Sequence, residues 1–453
     1  MFKKILVANR GEIALRVIRA CKELEIQTVS VYSDVDSLSL HTKFADEAIC
    51  IGPGDSVKSY LNIPAIISAA ELTNADAIHP GYGFLSENAG FSEICTDNNL
   101  TFIGPSPNII NTMANKSKAK DTMKSLGVPI IPGSKGNVDS VEEGVDIARE
   151  IGYPIIIKAT SGGGGRGMRI VNNEEEFEIA FTTAQSEAKI SFNDSNVYIE
   201  KYFISPKHIE IQIIADSAGN VYSLLDRECS VQRRHQKIIE ESPSYAIKSE
   251  LREEMSHISV KAAKEIGYLG VGTIEYLYDT ENNKYYFMEM NTRIQVEHPI
   301  TEMILDYDIV KNQILCHAGL TLPEWLKNIK PRGHSIECRI NAEDPAKNFM
   351  PSPGQINSLH LPGGNGVRID THIYAGYNIP SNYDSMIAKV VVHASSRNES
   401  IQKMLSALDE CVIEGIKTTI PFQKQILKSQ DFVDGYYTTN FLNTFEYKEI
   451  EHE

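Results

Sequence analysis

Short apolar runs alternate with helical patterns over the first 112 residues of the chain. Strands are predicted from the apolar runs, which cover residues 5–8, 28–32, 48–51, 75–79 and 101–103. Helices are predicted between them, for example at 13–24 and 64–71. Regular β–α alternation is typical of a doubly wound parallel sheet, and we predict such a domain for residues 1–112.

The pattern changes after residue 113. A helical stretch at 116–126 is followed by an apolar run at 151–159, which predicts a strand leading into a glycine-rich segment. Further on, His208, Glu210 and Gln212 alternate with isoleucines, and a turn sequence precedes 221–225, so this region predicts an antiparallel hairpin with one polar face. A Pro-Arg-Gly step at 331–333 marks a boundary. Three predicted strands then precede a final helical stretch, at 335–339, 367–371 and 387–393.

The glycine-rich segment contains Gly163, Gly164 and Gly165. Exposed backbone N–H groups in such a loop bind phosphate oxygens, but glycine-rich loops also form ordinary hairpin tips. The spacing matches neither the Walker loop nor the dinucleotide fingerprint. Lys158, near the end of the preceding strand, favours phosphate binding, although an exposed surface lysine is the alternative.

The most informative segment is 287–299, where polar residues occupy every second position. These residues are Glu289, Asn291, Arg293, Gln295 and Glu297. If the backbone stays extended, all five side chains share one face. Glu275 lies one predicted hairpin earlier. Carboxylate and amide oxygens suit Mg²⁺, so the pattern predicts a magnesium–nucleotide site, with a solvated strand face as the alternative.

A second group of residues concentrates positive charge. Arg233, Arg234, His235 and Lys237 lie close together in a chain that is otherwise acidic. This cluster is a candidate anion pocket, and a solvated basic loop is the alternative.

Composition limits the classes of function. Lys and Arg number 44 against 60 Asp and Glu, and the resulting net charge of −16 disfavours binding to nucleic acid or anionic membranes. The seven cysteines form no Cys-x-x-Cys pair, which argues against a disulfide framework or zinc cluster and favours a cytoplasmic location. No apolar run approaches the roughly 18 residues of a membrane span.

These motifs together identify a family. The chain resembles the biotin carboxylase subunits of bacterial acetyl-CoA carboxylases, which are ATP-grasp enzymes, at residues 5–14, 79–88, the glycine loop, 232–237, 289–297 and 383–386. The resemblance implies a multidomain α/β and α+β protein with an N-terminal domain at 1–112 and an ATP-grasp domain at 113–330. It also implies a mobile lid at about 130–203, a mixed α+β C-terminal domain at 331–446 that completes the biotin site, and a tail at 447–453.

The resemblance also implies roles for individual residues. The implied ATP contacts are Lys116, Lys158, Gly163, Gly164, Gly165, Glu200, Lys201, His208, Gln232, His235, Glu275 and Glu289. The implied metal ligands are Glu275, Glu289 and Asn291. The implied bicarbonate contacts are Lys237, Arg293, Gln295, Val296 and Glu297, with Glu297 as general base. Biotin contacts are implied for Tyr82, Gly83 and Arg339, and the implied catalytic residues are Glu297, Arg339, Lys237 and Arg293.

The implied reaction is ATP-dependent carboxylation of biotin by bicarbonate through carboxyphosphate, with Mg²⁺ or Mn²⁺. We find no biotinylation motif, and therefore expect biotin on a separate carrier protein, together with separate carboxyltransferase subunits. The family further implies a homodimer and the first half-reaction of acetyl-CoA carboxylase, which leads to malonyl-CoA and fatty acids. The alternative is a subunit of another acyl-CoA or pyruvate carboxylase.

Two departures from the family pattern are Phe203, in the expected adenine pocket, and Ala388, where glycine is usual. Two other classes stay open from the residues alone. They are a different ATP-grasp ligase that uses an acylphosphate, and a nucleotide-binding subunit without turnover.

Overall fold

The computed structural model describes residues 1–160, 168–192 and 194–449. The chain divides into two compact units. The first comprises residues 1–119, 207–276 and 289–453, and the second comprises residues 120–206 and 277–288. No helix in the described ranges is long and apolar enough to cross a membrane.

The N-terminal part of the first unit is a parallel five-stranded sheet of order β3-β2-β1-β4-β5. Its strands are β1 (Lys4–Val7), β2 (Gln27–Ser33), β3 (Glu47–Gly52), β4 (Ala77–His79) and β5 (Thr101–Phe102). The surrounding helices are α1 (Gly11–Glu23), α2 (Leu40–Phe44), α3 (Ile63–Thr73), α4 (Ala89–Asp97) and α5 (Pro107–Ala114), with 3-10 turns at Asp34–Asp36 and Ser56–Lys58. The predicted doubly wound sheet is therefore confirmed. Its strands pair in parallel because the crossover after a strand returns the chain to the end of the sheet at which that strand began.

The second unit contains a three-stranded antiparallel sheet of order β7-β6-β8. Its elements are β6 (Ile155–Ala159), β7 (Met168–Val171), β8 (Val197–Lys201), α7 (Val141–Ile151), α8 (Phe177–Phe192) and a 3-10 turn at Glu174–Glu176. Helix α6 (Lys116–Ser125) spans the boundary between the two sequence ranges. The strand predicted at 151–159 begins only at Ile155, because Ile151 completes α7 and the chain then turns at Gly152, which has φ 81°.

A large sheet of eight strands carries most of the predicted site. Its order is β13-β12-β9-β10-β11-β14-β21-β19. The strands are β9 (Lys207–Ala215), β10 (Val221–Arg233), β11 (Gln236–Ser242), β12 (Gly270–Asp279), β13 (Lys284–Asn291), β14 (His334–Asn341), β19 (Val367–Thr371) and β21 (Met386–Ala394). The predicted hairpin of β9 and β10 is confirmed, but both faces of β9 are buried, so its polar residues face the protein interior rather than water.

The helices around this sheet and the short strands after it complete the first unit. The helices are α9 (Ser249–Glu265), α10 (His298–Leu305), α11 (Ile309–His317), α12 (Arg397–Glu410), α13 (Ile420–Lys428), α14 (Gln430–Asp434) and α15 (Phe441–Thr444). The short strands are β15 (Glu343–Asp344), β16 (Met350–Pro351), β17 (Gly354–Gln355), β18 (Ser358–His360), β20 (Asn378–Ile379) and β22 (Val412–Glu414). Further 3-10 turns lie at Glu324–Asn328 and Pro345–Lys347. One face of β14 and β21 packs against α12 and α13 through residues such as Ile336, Val390 and Met404. The other face is free to carry charged groups.

Candidate active site

Lys237 is the centre of a buried ionic cluster in the first unit. It lies on β11, and its Nζ atom contacts Glu210 Oε2 at 2.7 Å, Glu275 Oε1 at 3.1 Å and Glu297 Oε1 at 2.5 Å. Burial by itself lowers the pKa of Lys237, but its anionic neighbours, including these three carboxylates, outweigh burial and raise the pKa well above the ordinary value. The ammonium therefore stays charged and available to an anionic substrate.

Glu297 lies in the loop that leads into α10, between two cations. Its Oε1 atom accepts from Lys237, and its Oε2 atom accepts from Arg339 Nη2 at 2.9 Å. Burial favours the protonated form, but Lys237 and Arg339 hold the pKa of Glu297 well below its usual range. Glu297 is thus an ionised carboxylate in the interior of the protein, and its basicity depends on how strongly these cations hold it.

The polar segment 289–297 is not one continuous strand. Strand β13 ends at Asn291, and the chain then turns toward α10, which begins at His298 with a proline in its first turn. The segment is therefore extended only as far as Asn291, and the condition under which all five polar side chains share one strand face is not met. Even so, three of its polar side chains meet near Glu275. Asn291 Nδ2 and Gln295 Nε2 both donate to Glu275 Oε1, at 2.8 and 2.6 Å, while Arg293 Nη2 donates to Asn291 Oδ1 at 3.1 Å.

Glu275, Glu289 and Asn291 supply oxygen atoms suited to a divalent cation. The pKa of Glu289 is raised, first by burial and then by the neighbouring charge of Glu275. The charge of Glu275 thus disfavours ionisation of Glu289, and a positive ion close to both groups would remove that penalty. His208 adds a nitrogen, because its Nε2 atom lies 3.1 Å from Glu275 Oε2. The oxygen-rich donor set fits Mg²⁺ or Mn²⁺.

One predicted biotin residue, Tyr82, contacts another buried carboxyl group, Glu12. The Tyr82 hydroxyl donates to Glu12, and Gly83 has φ 69°, a conformation that favours glycine. Glu12 Oε1 also lies 3.2 Å from the Nζ atom of Lys389, which donates to the carbonyl oxygen of Val296 at 2.7 Å. Lys389 thus ties Val296, a predicted bicarbonate contact, to the group that holds Tyr82.

The remaining predicted residues of the first unit lie at the edges of this cluster. Lys116 begins α6 and acts electrostatically on Glu289. Gln232 Nε2 donates to the Cys229 carbonyl at 3.1 Å and lies 3.5 Å from His208 Nδ1. His235 is exposed, at φ 67°, in the turn between β10 and β11. The basic cluster is therefore divided: Lys237 faces the buried carboxylates, whereas His235 faces solvent.

Three predicted ATP contacts lie in the second unit. Lys158 Nζ forms an ion pair with Glu200 Oε2 at 2.7 Å, and Lys201 Nζ donates to the carbonyl oxygens of Gly152 and Tyr153, both at 3.0 Å. Phe203 stacks on Tyr286 with 5.0 Å between ring centroids. The predicted contacts Gly163, Gly164 and Gly165 lie outside the described residues.

Sequence reasoning missed several residues that hold the site together. Glu210 contacts Lys237, Glu87 Oε2 accepts from Arg293 Nε at 3.0 Å, and Lys389 holds Val296. Glu210 shares one strand face with His208, and Glu87 lies within the motif at 79–88. Both residues could therefore have been found from the sequence. Lys389 lies 93 positions from its partner in an apolar strand, and only the sheet brings the two together.

Family models match nearly the whole chain. They are described as "Biotin carboxylase, N-terminal domain" over residues 1–110, "Carbamoyl-phosphate synthase L chain, ATP binding domain" over 115–325, and "Biotin carboxylase C-terminal domain" over 337–444.

Individual relatives agree with these matches. The chain is 55% identical over 446 residues to "Biotin carboxylase 1" of Bacillus subtilis, covering 98% of this chain and 99% of the relative. A crystal structure of a biotin carboxylase–β,γ-ATP complex from Campylobacter jejuni is 52% identical with a TM-score of 0.91, covering 98% of this chain and 99% of that one. The biotin carboxylase domain dimer of Hydrogenobacter thermophilus 2-oxoglutarate carboxylase, solved with MgADP, ADP and bicarbonate, is 50% identical with a TM-score of 0.90, covering 99% and 100%.

Near-complete coverage at this identity, together with the buried carboxylate and cation cluster, leaves one assignment. The chain belongs to the biotin carboxylase family of ATP-grasp enzymes.

Proposed function

We propose that this biotin carboxylase carries out the first half-reaction of acetyl-CoA carboxylase, in which bicarbonate and ATP carboxylate biotin on a separate carrier protein. The observation that carries the site assignment is the position of Glu297 between Lys237 and Arg339, beside Glu275. This arrangement places one candidate base among cations that suit bicarbonate, phosphate and a developing enolate oxygen.

The first step is activation of bicarbonate. Lys237, Arg293 and the Gln295 amide bind its oxygens, and Glu297 removes its proton as it attacks the γ-phosphate of ATP to form carboxyphosphate and ADP. A bound bicarbonate competes with Glu297 for Lys237, so substrate binding itself weakens the contact that keeps the pKa of Glu297 low. Glu275, Glu289 and Asn291 would hold Mg²⁺, which would supply charge stabilisation for the phosphate oxygens.

The second step transfers the carboxyl group. Carboxyphosphate breaks down to CO₂ and phosphate, and phosphate takes the N1 proton of biotin. Arg339 stabilises the resulting enolate oxygen of the ureido group, and N1 then attacks CO₂. The Arg339 guanidinium suits this role because neighbouring carboxylates, with Glu240 first among them, outweigh burial and keep its pKa above the ordinary value. The predicted nucleotide contacts Lys158, Glu200 and Lys201 stay predictions.

The decisive experiment measures ADP release from MgATP by the purified chain, with and without bicarbonate and free biotin. We expect ADP release that requires bicarbonate and rises with biotin. Glu297→Gln is expected to lose bicarbonate-dependent ATP cleavage by about 10²-fold or more, because base catalysis contributes roughly that much, while ATP binding is retained. Glu324→Gln is the matched control, since its side chain is 88% exposed on the surface. Unchanged turnover in Glu297→Gln refutes the assigned role.

The acceptor and the assembly belong to the same proposal. Acetyl-CoA is proposed because the chain resembles the biotin carboxylase subunits of acetyl-CoA carboxylases, although the motifs themselves do not choose the acceptor. A similar solved domain belongs to a 2-oxoglutarate carboxylase, so relatives serve other acceptors. Reconstitution with carrier and carboxyltransferase proteins tests the acceptor, and formation of malonyl-CoA is the expected result.

A homodimer is proposed because a similar solved domain is a dimer. Sedimentation equilibrium tests this, and a monomer at working concentration contradicts it.

A further inference from the structure

Two buried carboxyl groups lie near Arg339, and neither is assigned a contact with a substrate in the mechanism above. Glu240 on β11 and Glu337 on β14 are paired across the antiparallel ladder, and both are 0% exposed. Glu240 Oε1 accepts from Arg339 Nε at 2.5 Å. Within the described residues, Glu240 Oε2 and both oxygens of Glu337 have no hydrogen-bond partner.

Leaving a buried carboxyl group without partners is costly, and it is far more costly if the group is ionised. Burial, and then the neighbouring charge of Glu240, raise the pKa of Glu337 well above the ordinary value, against the lowering effect of Lys389 and Arg339. The missing partners and the neighbouring charge therefore both favour the protonated form of Glu337, which has one O–H to donate.

The local charges lead to the same conclusion. Glu240, Glu297 and Glu337 all act on Arg339, while Lys237, the second cation at Glu297, is shared with Glu210 and Glu275. The three carboxyl groups therefore carry more negative charge than these cations neutralise, and a carboxyl proton relieves the excess. The other cation near Glu337 is Lys389, which already contacts Glu12, Asp370 and the Val296 carbonyl.

Cross-strand neighbours in an antiparallel pair have Cβ atoms about 5 Å apart, which is within reach of two glutamate side chains. Glu240 and Glu337 are opposite each other in the ladder, and Glu240 Oε2 is an acceptor without a partner among the described residues. We propose that Glu240 and Glu337 hold one proton between them and act as a positioning pair for Arg339. Glu240 fixes the Nε edge of the guanidinium, and the proton on Glu337 keeps a second negative charge from pulling Arg339 away from the substrate.

The backbone of Arg339 is already fixed by other contacts, which isolates the part played by the pair. The Arg339 carbonyl accepts from Gln423 and from Thr419, and its backbone pairs with Lys389 on β21. In the described part of the chain, the side chain has two acceptors, Glu240 and Glu297. When Glu297 turns to bicarbonate, Glu240 is the group that keeps the guanidinium in place.

This inference rests on the proposed function, and the test separates the two. ADP release is measured with bicarbonate alone and with bicarbonate plus free biotin, for the wild type, Glu240→Gln and Glu337→Gln. Glu240→Gln is expected to lower the biotin-dependent increment by roughly tenfold or more, because a misplaced charged group costs that much, and to leave the biotin-free rate within about threefold. Glu337→Gln keeps a neutral hydrogen-bond donor of the same shape, and is expected to preserve the ratio of the two rates.

Three results overturn the inference in a folded variant. They are an unchanged biotin-dependent increment in Glu240→Gln, an equal loss of both rates in Glu240→Gln, and a Glu337→Gln defect as large as that of Glu240→Gln. If Glu240→Gln does not fold, Glu240→Asp is measured in the same way. This substitution shortens the side chain by one methylene and withdraws the carboxylate from Arg339, so an increased KM for biotin is the expected result.

An infrared measurement tests the proton without relying on activity. At mildly alkaline pH, the wild type is expected to show the carbonyl stretch of a protonated carboxylic acid, and Glu337→Gln is expected to lose it. Absence of that band refutes the shared proton. If the wild type shows neither bicarbonate dependence nor biotin stimulation, the proposed function fails instead, and the band still reports on the pair.

Discussion

Among the described residues, Arg227 is the largest fully buried side chain, and its replacement by methionine is expected to destabilise the first unit strongly. The guanidinium lies in the interior behind Lys237. Its Nε atom donates to Glu210 Oε1 at 2.5 Å, and its two terminal nitrogens donate to Gln212 Oε1 at 2.7 Å and to Gln295 Oε1 at 2.6 Å. The hydroxyls of Thr301 and Thr273 lie at 3.1 and 3.2 Å.

The expected loss follows from what Arg227→Met leaves behind. Glu210 keeps Lys237 at 2.7 Å, so its charge is only partly uncompensated. The amide oxygens of Gln212 and Gln295 lose short hydrogen bonds inside the protein, at about 1–3 kcal/mol each. The threonine hydroxyls are free to rotate to other partners. The sum is about 4 kcal/mol, within the roughly 3–5 kcal/mol typical of breaking a buried ion pair.

The assay uses the single tryptophan of the chain. Trp325 lies in the first unit, with its ring edge-on to Tyr307 at 5.7 Å, so its emission follows the unfolding of that unit. With a urea dependence of about 3 kcal/mol per molar or somewhat more for a unit of this size, the midpoint is expected to fall by about 1 M.

Arg332→Met is the matched control, because it is the same substitution at an exposed position in the same unit, and its midpoint is expected to stay within about 0.2 M of wild type. A midpoint shift below about 0.3 M in Arg227→Met, with an unchanged slope, refutes the reasoning.

Two further substitutions test other buried charges. Lys389→Met removes the donor to the Val296 carbonyl and leaves Glu12 without its cation. We expect the unfolding free energy to fall by about 3–5 kcal/mol in the same urea assay and bicarbonate-dependent turnover to be lost. An unchanged midpoint contradicts this expectation, and Lys58→Met, at an exposed position, is the control. Burial favours protonated Asp36, but hydrogen bonds from Arg10 outweigh it and lower its pKa from 3.8 to about 2. The stabilisation from this carboxylate is therefore present above about pH 4 and is lost as the pH falls through about 2. Asp36→Asn is expected to remove about 2 kcal/mol from the acid dependence of the unfolding free energy, and equal acid dependence in variant and wild type contradicts the role of the pair.

The amino-acid sequence by itself determined the local elements and the type of chemistry. Apolar runs and helical patterns located the parallel strands of the N-terminal sheet, because strands that are covered on both faces are continuously apolar. Period-two alternation located the hairpin of β9 and β10, because alternate side chains of a strand point to opposite faces. The carboxylate and amide residues around Glu275 and Glu289 predicted a metal and phosphate site, because only a few side-chain types supply hard oxygen ligands.

The tertiary structure alone decided which charges meet. Glu297 reaches Lys237 and Arg339 because α10 begins immediately after it, and not because an extended strand continues. Glu337 lies opposite Glu240 through the register of β11 and β14, whose residues are nearly 100 positions apart in the chain. Sequence periodicity reports which face a residue occupies, but not which distant residue shares it. The balance of buried charge therefore becomes visible only in the folded sheet.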